Sequence, residues 1–359
     1  MNARVSLLST ALLGAAATSL LAGEPSAVEG ITTTPSSPQR WRVGIGYAPL
    51  LGLKAEFSGL GNFGSNFAPQ PLGGGQDYNY DDGYVHVDSS GNAGGQTWNW
   101  GYENDSQIDT SGEGSVAFTL TRSTGNAGTE ERDDAMAGLE AFGYYDMGDV
   151  KIPGLSLPGA KWGFRAGIHY AHIDISNGDN LRSGTSVLTD RFSLGGIIPP
   201  LAPYEGSFNG PGPLISDSPD RSVAPGGFAL VSGSRELDVH LTTLSLGSFM
   251  EIPIAQKTSL TFEGGLNAAL ASGSYDFVSN TTIANVGTRR SAGSDSGTSV
   301  LPGVYLGLSG IYQINESWAI QAAGRYQYMD DYDLGANGSS ANLSFDSAFI
   351  LSFGMLHSF

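Results

Sequence analysis

The sequence predicts an all-β fold, an antiparallel transmembrane up-and-down β-barrel, with eight strands preferred and ten as the alternative. Three observations predict it: strand-length runs with every second residue apolar, aromatic residues gathered at the ends of those runs, and connections alternating between short and long. In each run the opposite positions are small, polar or charged. An apolar face outward with a polar face inward suits a barrel in lipid. The competing arrangement is a soluble β-sandwich or lectin-like domain, which buries its apolar faces between two sheets.

Composition agrees with a strand-rich chain. Its 359 residues include 52 glycines and 10% aromatics against only 14% charged residues, fitting a turn-rich all-β protein better than a helical one. There are no cysteines, a composition that avoids wrong disulfides on passage through an oxidising compartment. A formal net charge of -18 argues against a nucleic-acid partner, because a phosphate backbone calls for clustered Lys and Arg.

Taken in order, residues 1–23 read as a secretory signal peptide. Arg4 precedes an apolar run rich in Leu and Ala, too short for a bilayer helix of about 20 residues. Residues 24–40 form a Pro/Ser/Thr linker expected to stay in the periplasm. The barrel then occupies residues 41–359, with insertions at 58–133 and 176–233. Its first strand alternates Trp41, Val43, Ile45 and Tyr47 against Arg42, Gly44, Gly46 and Ala48. The same pattern recurs at residues 139–145, 162–170, 260–270, 304–312 and 318–328, each near the roughly 9–11 residues that a tilted membrane strand needs. In residues 235–252 the apolar positions run Leu237, Val239, Leu241 and resume at Leu244, Leu246 and Met250. That slip predicts a β-bulge near Thr242 and Thr243.

The insertions are less regular. Residues 80–88 and 96–103 contain strand formers, expected as a hairpin capping the barrel or as two further membrane strands. Residues 190–221 are dense in Pro and Gly and predict a lid over the mouth, packed by Phe192, Ile197, Ile198, Tyr204 and Phe208. Long connections are expected at residues 58–133, 176–233, 280–297 and 331–340, all on the extracellular side.

The last run, residues 341–359, alternates Leu343, Phe345, Phe349, Leu351, Phe353 and Met355 and ends on Phe359. A terminal Phe behind alternating apolar positions resembles the C-terminal signal of bacterial outer-membrane β-barrel proteins of the small-barrel, porin-like kind. The resemblance implies residence in the outer membrane and recognition of this strand by the barrel-assembly machinery. Trp41, Trp162, Trp318, Tyr312 and Phe359 fall near one rim, and Tyr170, Tyr326, Tyr328 and Phe345 near the other, as aromatic belts at two interfaces would.

Inward positions offer Arg42, Glu140, Arg165, His169, Asp238, His240, Glu263, Arg325 and Asp346. A barrel of about eight strands is just wide enough for its own side chains, so these are expected to pair and fill the lumen. The expected function is structural, surface-interaction or narrow passive transport. A small porin-like channel is the alternative, with charge rings tuning ion preference. An enzyme at the rim, built from His169, His172, Asp174, Asp238 and His240, is the third. The chain shows no G-x-S-x-G and no H-E-x-x-H, and it is read as a non-enzyme without a cofactor. Twelve acidic residues between Asp77 and Asp134 suggest weak divalent-cation binding at extracellular loops, weighed against a merely solvated acidic surface.

Overall fold

Alternating side chains become alternating faces once the strands pair, and here the pairing closes a ring. The structure, a computed structural model, describes residues 40–64, 73–132, 135–150 and 158–359. The segment assigned to the signal peptide and nearly all of the linker lie outside the described residues. Thirteen strands form the main path: β1 (Trp41–Tyr47), β2 (Lys54–Phe63), β3 (Ser115–Arg132), β4 (Gly138–Asp149), β5 (Lys161–Asn177), β6 (Leu181–Ser193), β7 (Asp220–Ala255), β8 (Thr258–Ile283), β9 (Gly287–Gln313), β10 (Trp318–Met329), β11 (Tyr332–Ala336), β12 (Ser339–Ser344) and β13 (Ala348–Ser358).

Their order is β5-β4-β1-β13-β10-β9-β8-β7-β6-β3-β2-β12-β11, and a further pairing of β5 with β7 closes the first eight into a ring. Two short strands bring the sheet to fifteen, so neither eight nor ten is its strand count. The ring is proximal, at the end that carries Trp41 and Phe359. Its first and last strands pair antiparallel, Val43 opposite His357 and Tyr47 opposite Phe353. Distally, β7 to β9 continue beyond the ring, and β6, β3, β2, β12 and β11 take over the circumference. This second tier returns to β9 through side chains: the Tyr332 hydroxyl donates to the Gly297 carbonyl at 2.6 Å, and Asn337 Nδ2 to the Ala292 carbonyl at 2.7 Å.

Strand length explains the two tiers. At about 3.3 Å per residue a strand of β8's length extends roughly 85 Å, far more than a hydrocarbon core of about 30 Å. Residues 280–297 are consequently not a long loop. β8 and β9 stay paired from Thr258 opposite Tyr312 to Ile283 opposite Gly287, turning within residues 284–286. The β11–β12 turn is similarly tight, with Asn337 and Gly338 at φ of 50° and 82°, the paired positive values that favour Asn-Gly in two-residue hairpin turns.

The faces exchange chemistry along each long strand. On β5 the outward residues Trp162, Phe164, Ile168 and Tyr170 give way to His172, Asp174 and Ser176, while inward Arg165 and His169 give way to Ala171, Ile173 and Ile175. β7 does the same. Leu244, Leu246 and Met250 face outward proximally, whereas distally Leu237, Val239 and Leu241 are buried and Glu236, Asp238 and His240 face outward. The expected bulge at Thr242 and Thr243 is therefore absent, and the β5–β7 register runs without a shift from Lys161 opposite Glu251 to Asn177 opposite Arg235. The apolar residues change parity because the environment inverts, from lipid outside to a dry core inside.

The final run is also corrected. Leu343 and Phe345 are fully buried in the distal core, and residues 345–347 separate β12 from β13, so residues 341–359 are not one strand. Phe345 accordingly belongs to no aromatic belt. From Phe349 onward the odd residues turn outward, and Phe353 and Met355 are exposed on the apolar wall.

Candidate functional site: a closed interior beneath a cap

The proximal interior is a stack of polar layers. Arg42 on β1 lies 3.0 Å from Asp146 on β4 and 2.6 Å from Glu251 on β7. Its guanidinium also sits 5.1 Å from the Tyr144 ring centre and 5.5 Å from that of Phe249. Above it, Glu140, Arg165, Glu263 and Arg325 form a quartet in which each arginine meets both carboxylates. Arg165 hydrogen-bonds Glu140 and reaches Glu263 at 3.1 Å; Arg325 lies 2.6 Å from Glu140 and 3.7 Å from Glu263. The Glu140–Arg325 approach is an ion contact without hydrogen-bond angles, since neither Oε2 nor Nη2 has a hydrogen-bond partner.

All four side chains are buried, and two arginines against two glutamates leave the ring without net charge. Such charges are tolerable only when paired, and removing one partner of a buried pair costs about 3–5 kcal/mol. Tyr144 donates to Glu263 at 3.2 Å and accepts from Gln321 at 2.9 Å, tying the ring to its floor. Gly307 makes room for it: a Cβ there would stand 2.5 Å from Arg325 Cγ and 2.8 Å from Glu263 Cγ. Next come Asn267, donating to Gln327 at 3.1 Å, and His169, whose Nε2 is 2.8 Å from the Ala48 carbonyl oxygen.

Beyond this layer comes an apolar core, with the buried Arg235 and Asn177 farther along the same strands. Leu50, Leu53, Phe57, Ala171, Ile173, Val239, Leu241, Tyr275, Leu343, Phe345 and Ile350 belong to one buried cluster drawn from strands all round the distal tier. Side chains thus fill the axis twice, first with paired charges and then with a hydrophobic core.

Of the expected lumen residues, the structure brings Arg42, Glu140, Arg165, His169, Glu263 and Arg325 to this interior. Three go elsewhere. Asp238 and His240 lie on the outer wall because β7 keeps its register through Thr242 and Thr243, and distally its even positions face out. Asp346 is exposed in the turn between β12 and β13, where its backbone carbonyl accepts from the Tyr326 hydroxyl. Sequence reasoning passed over Tyr144, Gln321 and Arg235 as network members. Arg235 is wholly buried, hydrogen-bonding Asn177 and the Asp179 carbonyl oxygen, and its parity on β7 was the available signal.

At the proximal rim, Trp41, Trp162, Trp318, Tyr312 and Phe359 are exposed on the outer face. Trp41 packs on Tyr145 at 4.7 Å between ring centres, and His357 bridges Trp318 and Phe359 at 4.6 and 4.7 Å. Tyr170, Tyr326 and Tyr328 are exposed on the same face near the polarity switch.

The two insertions interleave into one cap. Tyr204–Glu205, Trp100–Tyr102, Gly83–Val85 and Tyr78–Tyr80 form a four-stranded sheet in that order, so residues 80–88 and 96–103 are not membrane strands. The cap has its own core of Tyr78, Val85, Trp100, Tyr102, Val116, Phe118, Phe192, Leu194 and Ile215. Trp100 Nε1 donates to the Pro213 carbonyl at 2.9 Å and the Tyr84 hydroxyl to that of Gly206 at 2.7 Å, joining one insertion to the other. The lid expectation holds for Phe192, Ile197 and Tyr204, whereas Ile198 and Phe208 are exposed.

Carboxylates of the acidic stretch accept backbone hydrogen bonds. Asp82 takes the Thr119 amide at 2.8 Å and Asp77 the Val87 amide at 2.7 Å. Asp88 takes the amides of Ser90 at 2.8 Å and Trp98 at 3.2 Å. Burial pushes the Asp88 carboxyl up, but its bonds to Ser90, Trp98 and Asn92 outweigh that and hold it below the usual range. Asp133 and Asp134 lie outside the described residues.

Ring closure, an apolar outer wall and a polar proximal lumen define an outer-membrane-type β-barrel, here carrying a second tier and a cap. No protein-family model and no curated protein matches the chain. Among solved structures it is similar to the outer membrane protease OmpT from Escherichia coli, at 9% sequence identity and a TM-score of 0.32, covering 91% of this chain and 99% of that one. It is also similar to a Pseudomonas aeruginosa FadL homologue, at 9% identity and a TM-score of 0.19, covering 89% and 90%.

Proposed function

We propose that this protein resides in the outer membrane as a closed anchor that presents its cap at the cell surface, a structural and surface-interaction role without catalysis. In this reading the rim of Trp41 and Phe359 is periplasmic and the second tier and cap are extracellular. The doubly filled axis carries it. Ions entering from the proximal side would meet the neutral Glu140–Arg165–Glu263–Arg325 ring. They would then have to cross the apolar cluster of Phe57, Tyr275, Leu343 and Phe345, where an unpaired charge is costly.

Planar-bilayer recording tests this directly. Purified protein should insert silently, with no unitary steps across a range of voltage and salt, while migrating as a heat-modifiable band that proves it folded. Stable, reproducible steps from that folded material would overturn the closed-anchor reading in favour of a small porin-like channel.

A further inference from the structure

On the outer wall, just beyond the polarity switch, β5 and β7 place His172 directly opposite His240 and Asp174 directly opposite Asp238. Even-numbered residues of both strands face outward here, so these four side chains share one surface. Like charges directly opposite one another on a sheet are destabilising, so the Asp174–Asp238 pair marks a place where a cation would relieve repulsion.

The ligating atoms converge. His172 Nε2 is 2.9 Å from Asp238 Oδ2, and His240 Nε2 is 3.9 Å from Asp238 Oδ1. One ligand atom from each of the three residues falls within 4.8 Å of the others. Ligands about 2.0–2.1 Å from a tetrahedral ion are roughly 3.4 Å apart, so the observed separations bracket what a bound ion needs. The two imidazoles stack, 4.7 Å between centres at 16°, which holds both Nε2 atoms toward the same carboxylate. Behind His240, the Tyr170 hydroxyl lies 2.8 Å from Nδ1. With the proton on Nδ1, donated to the phenol oxygen, the Nε2 lone pair is left free, the usual outer-shell arrangement of a metal-ligating histidine.

We propose that His172, Asp238 and His240 form a binding site for a divalent transition-metal ion, with Tyr170 as its positioning residue. Two imidazoles and one carboxylate suit Zn²⁺ and its borderline neighbours better than Ca²⁺ or Mg²⁺, which prefer all-oxygen sites. The side chains are 46%, 37% and 56% exposed, so an ion reaches them from water without any opening of the fold. The remaining coordination positions face solvent, open to water or to a donor group on a neighbouring molecule.

The test uses the full chain, refolded in detergent, stripped with a chelator and titrated with Zn²⁺ in a calorimeter, with Co²⁺ as an optical probe. One equivalent of saturable Zn²⁺ binding is expected, together with a visible Co²⁺ band of low-coordinate geometry. His172→Ala and His240→Ala should each weaken binding more than tenfold, and Tyr170→Phe by about tenfold or more. Asp276→Asn, elsewhere on the same wall, should leave it unchanged. Heat-modifiable migration checks that each variant is folded. Absence of saturable heat and of the Co²⁺ band at millimolar metal in the unaltered protein would overturn the proposal. So would binding that persists in the folded His172→Ala/His240→Ala double variant.

Discussion

Single residues do different work in the two tiers, and the cap shows this through Tyr80. Its hydroxyl donates to Asp190 at 2.7 Å, while Arg221 clamps the same carboxylate at 2.7 and 2.5 Å. Burial first, then the hydrogen bond to Asp190, raises the Tyr80 hydroxyl well above the ordinary tyrosine range. Burial likewise raises Tyr84, Tyr102 and Tyr204. An unfolded tyrosine ionises near pH 10. Above that the unfolded chain releases protons that the folded cap still holds, so the cap's stability is complete below pH 10 and falls as pH rises beyond it. Tyrosinate absorbance should therefore show these rings ionising late, together with the loss of cap structure in near-ultraviolet circular dichroism. A full set of tyrosines titrating near pH 10 while the cap stays folded would contradict this.

At the scale of the strand, the two-residue period and the strand positions were legible, because alternation survives any change of surroundings. Which face looks inward along the whole strand was not. Alternation reports that two faces differ, and the sign of the difference comes from the medium, which changes midway along β5, β7 and β8. The apparent slip between Leu241 and Leu244 is that change of sign, and it carried Asp238 and His240 from the expected lumen to the outer wall. The quartet of Glu140, Arg165, Glu263 and Arg325 was readable because all four lie in the proximal tier. Asp346 was misplaced because nothing in its run announces the turn at residues 345–347. The absence of cysteine makes the register of β7 easy to check, since each single-cysteine variant carries one thiol. In membrane-inserted protein a polar maleimide should label Glu236→Cys rapidly, while Val239→Cys, inside the distal core, and Leu246→Cys, against lipid, stay protected. Faster labelling at position 239 than at 236 would restore the bulge that an unbroken register denies.

At the scale of the whole molecule, the barrel and its cap hold separate apolar cores. In the distal barrel core, Ile173 and Tyr275 stand on β5 and β8, which also belong to the closed ring, and Phe57 of β2 and Phe345 of the β12–β13 turn share one cluster with them, so the core cannot loosen without disturbing the ring. In the cap core, Tyr78, Val85, Trp100, Tyr102 and Ile215 stand on short strands of two or three residues tied by loop hydrogen bonds, and they meet Phe118 and Phe192 near the ends of β3 and β6. Short elements with a small core are the first to open, because local stability follows the apolar contact that each unit buries. Tryptophan positions allow the two to be watched apart, since Trp98 and Trp100 are in the cap and Trp41, Trp162 and Trp318 are at the proximal rim. In a variant with the three rim residues changed to Phe, urea should shift the cap fluorescence at a concentration where the protein still migrates as a folded barrel. The barrel transition should follow as a second, separate step. A single coincident transition by both probes would mean that cap and barrel fold as one unit, and that the cap is a structural part of the barrel.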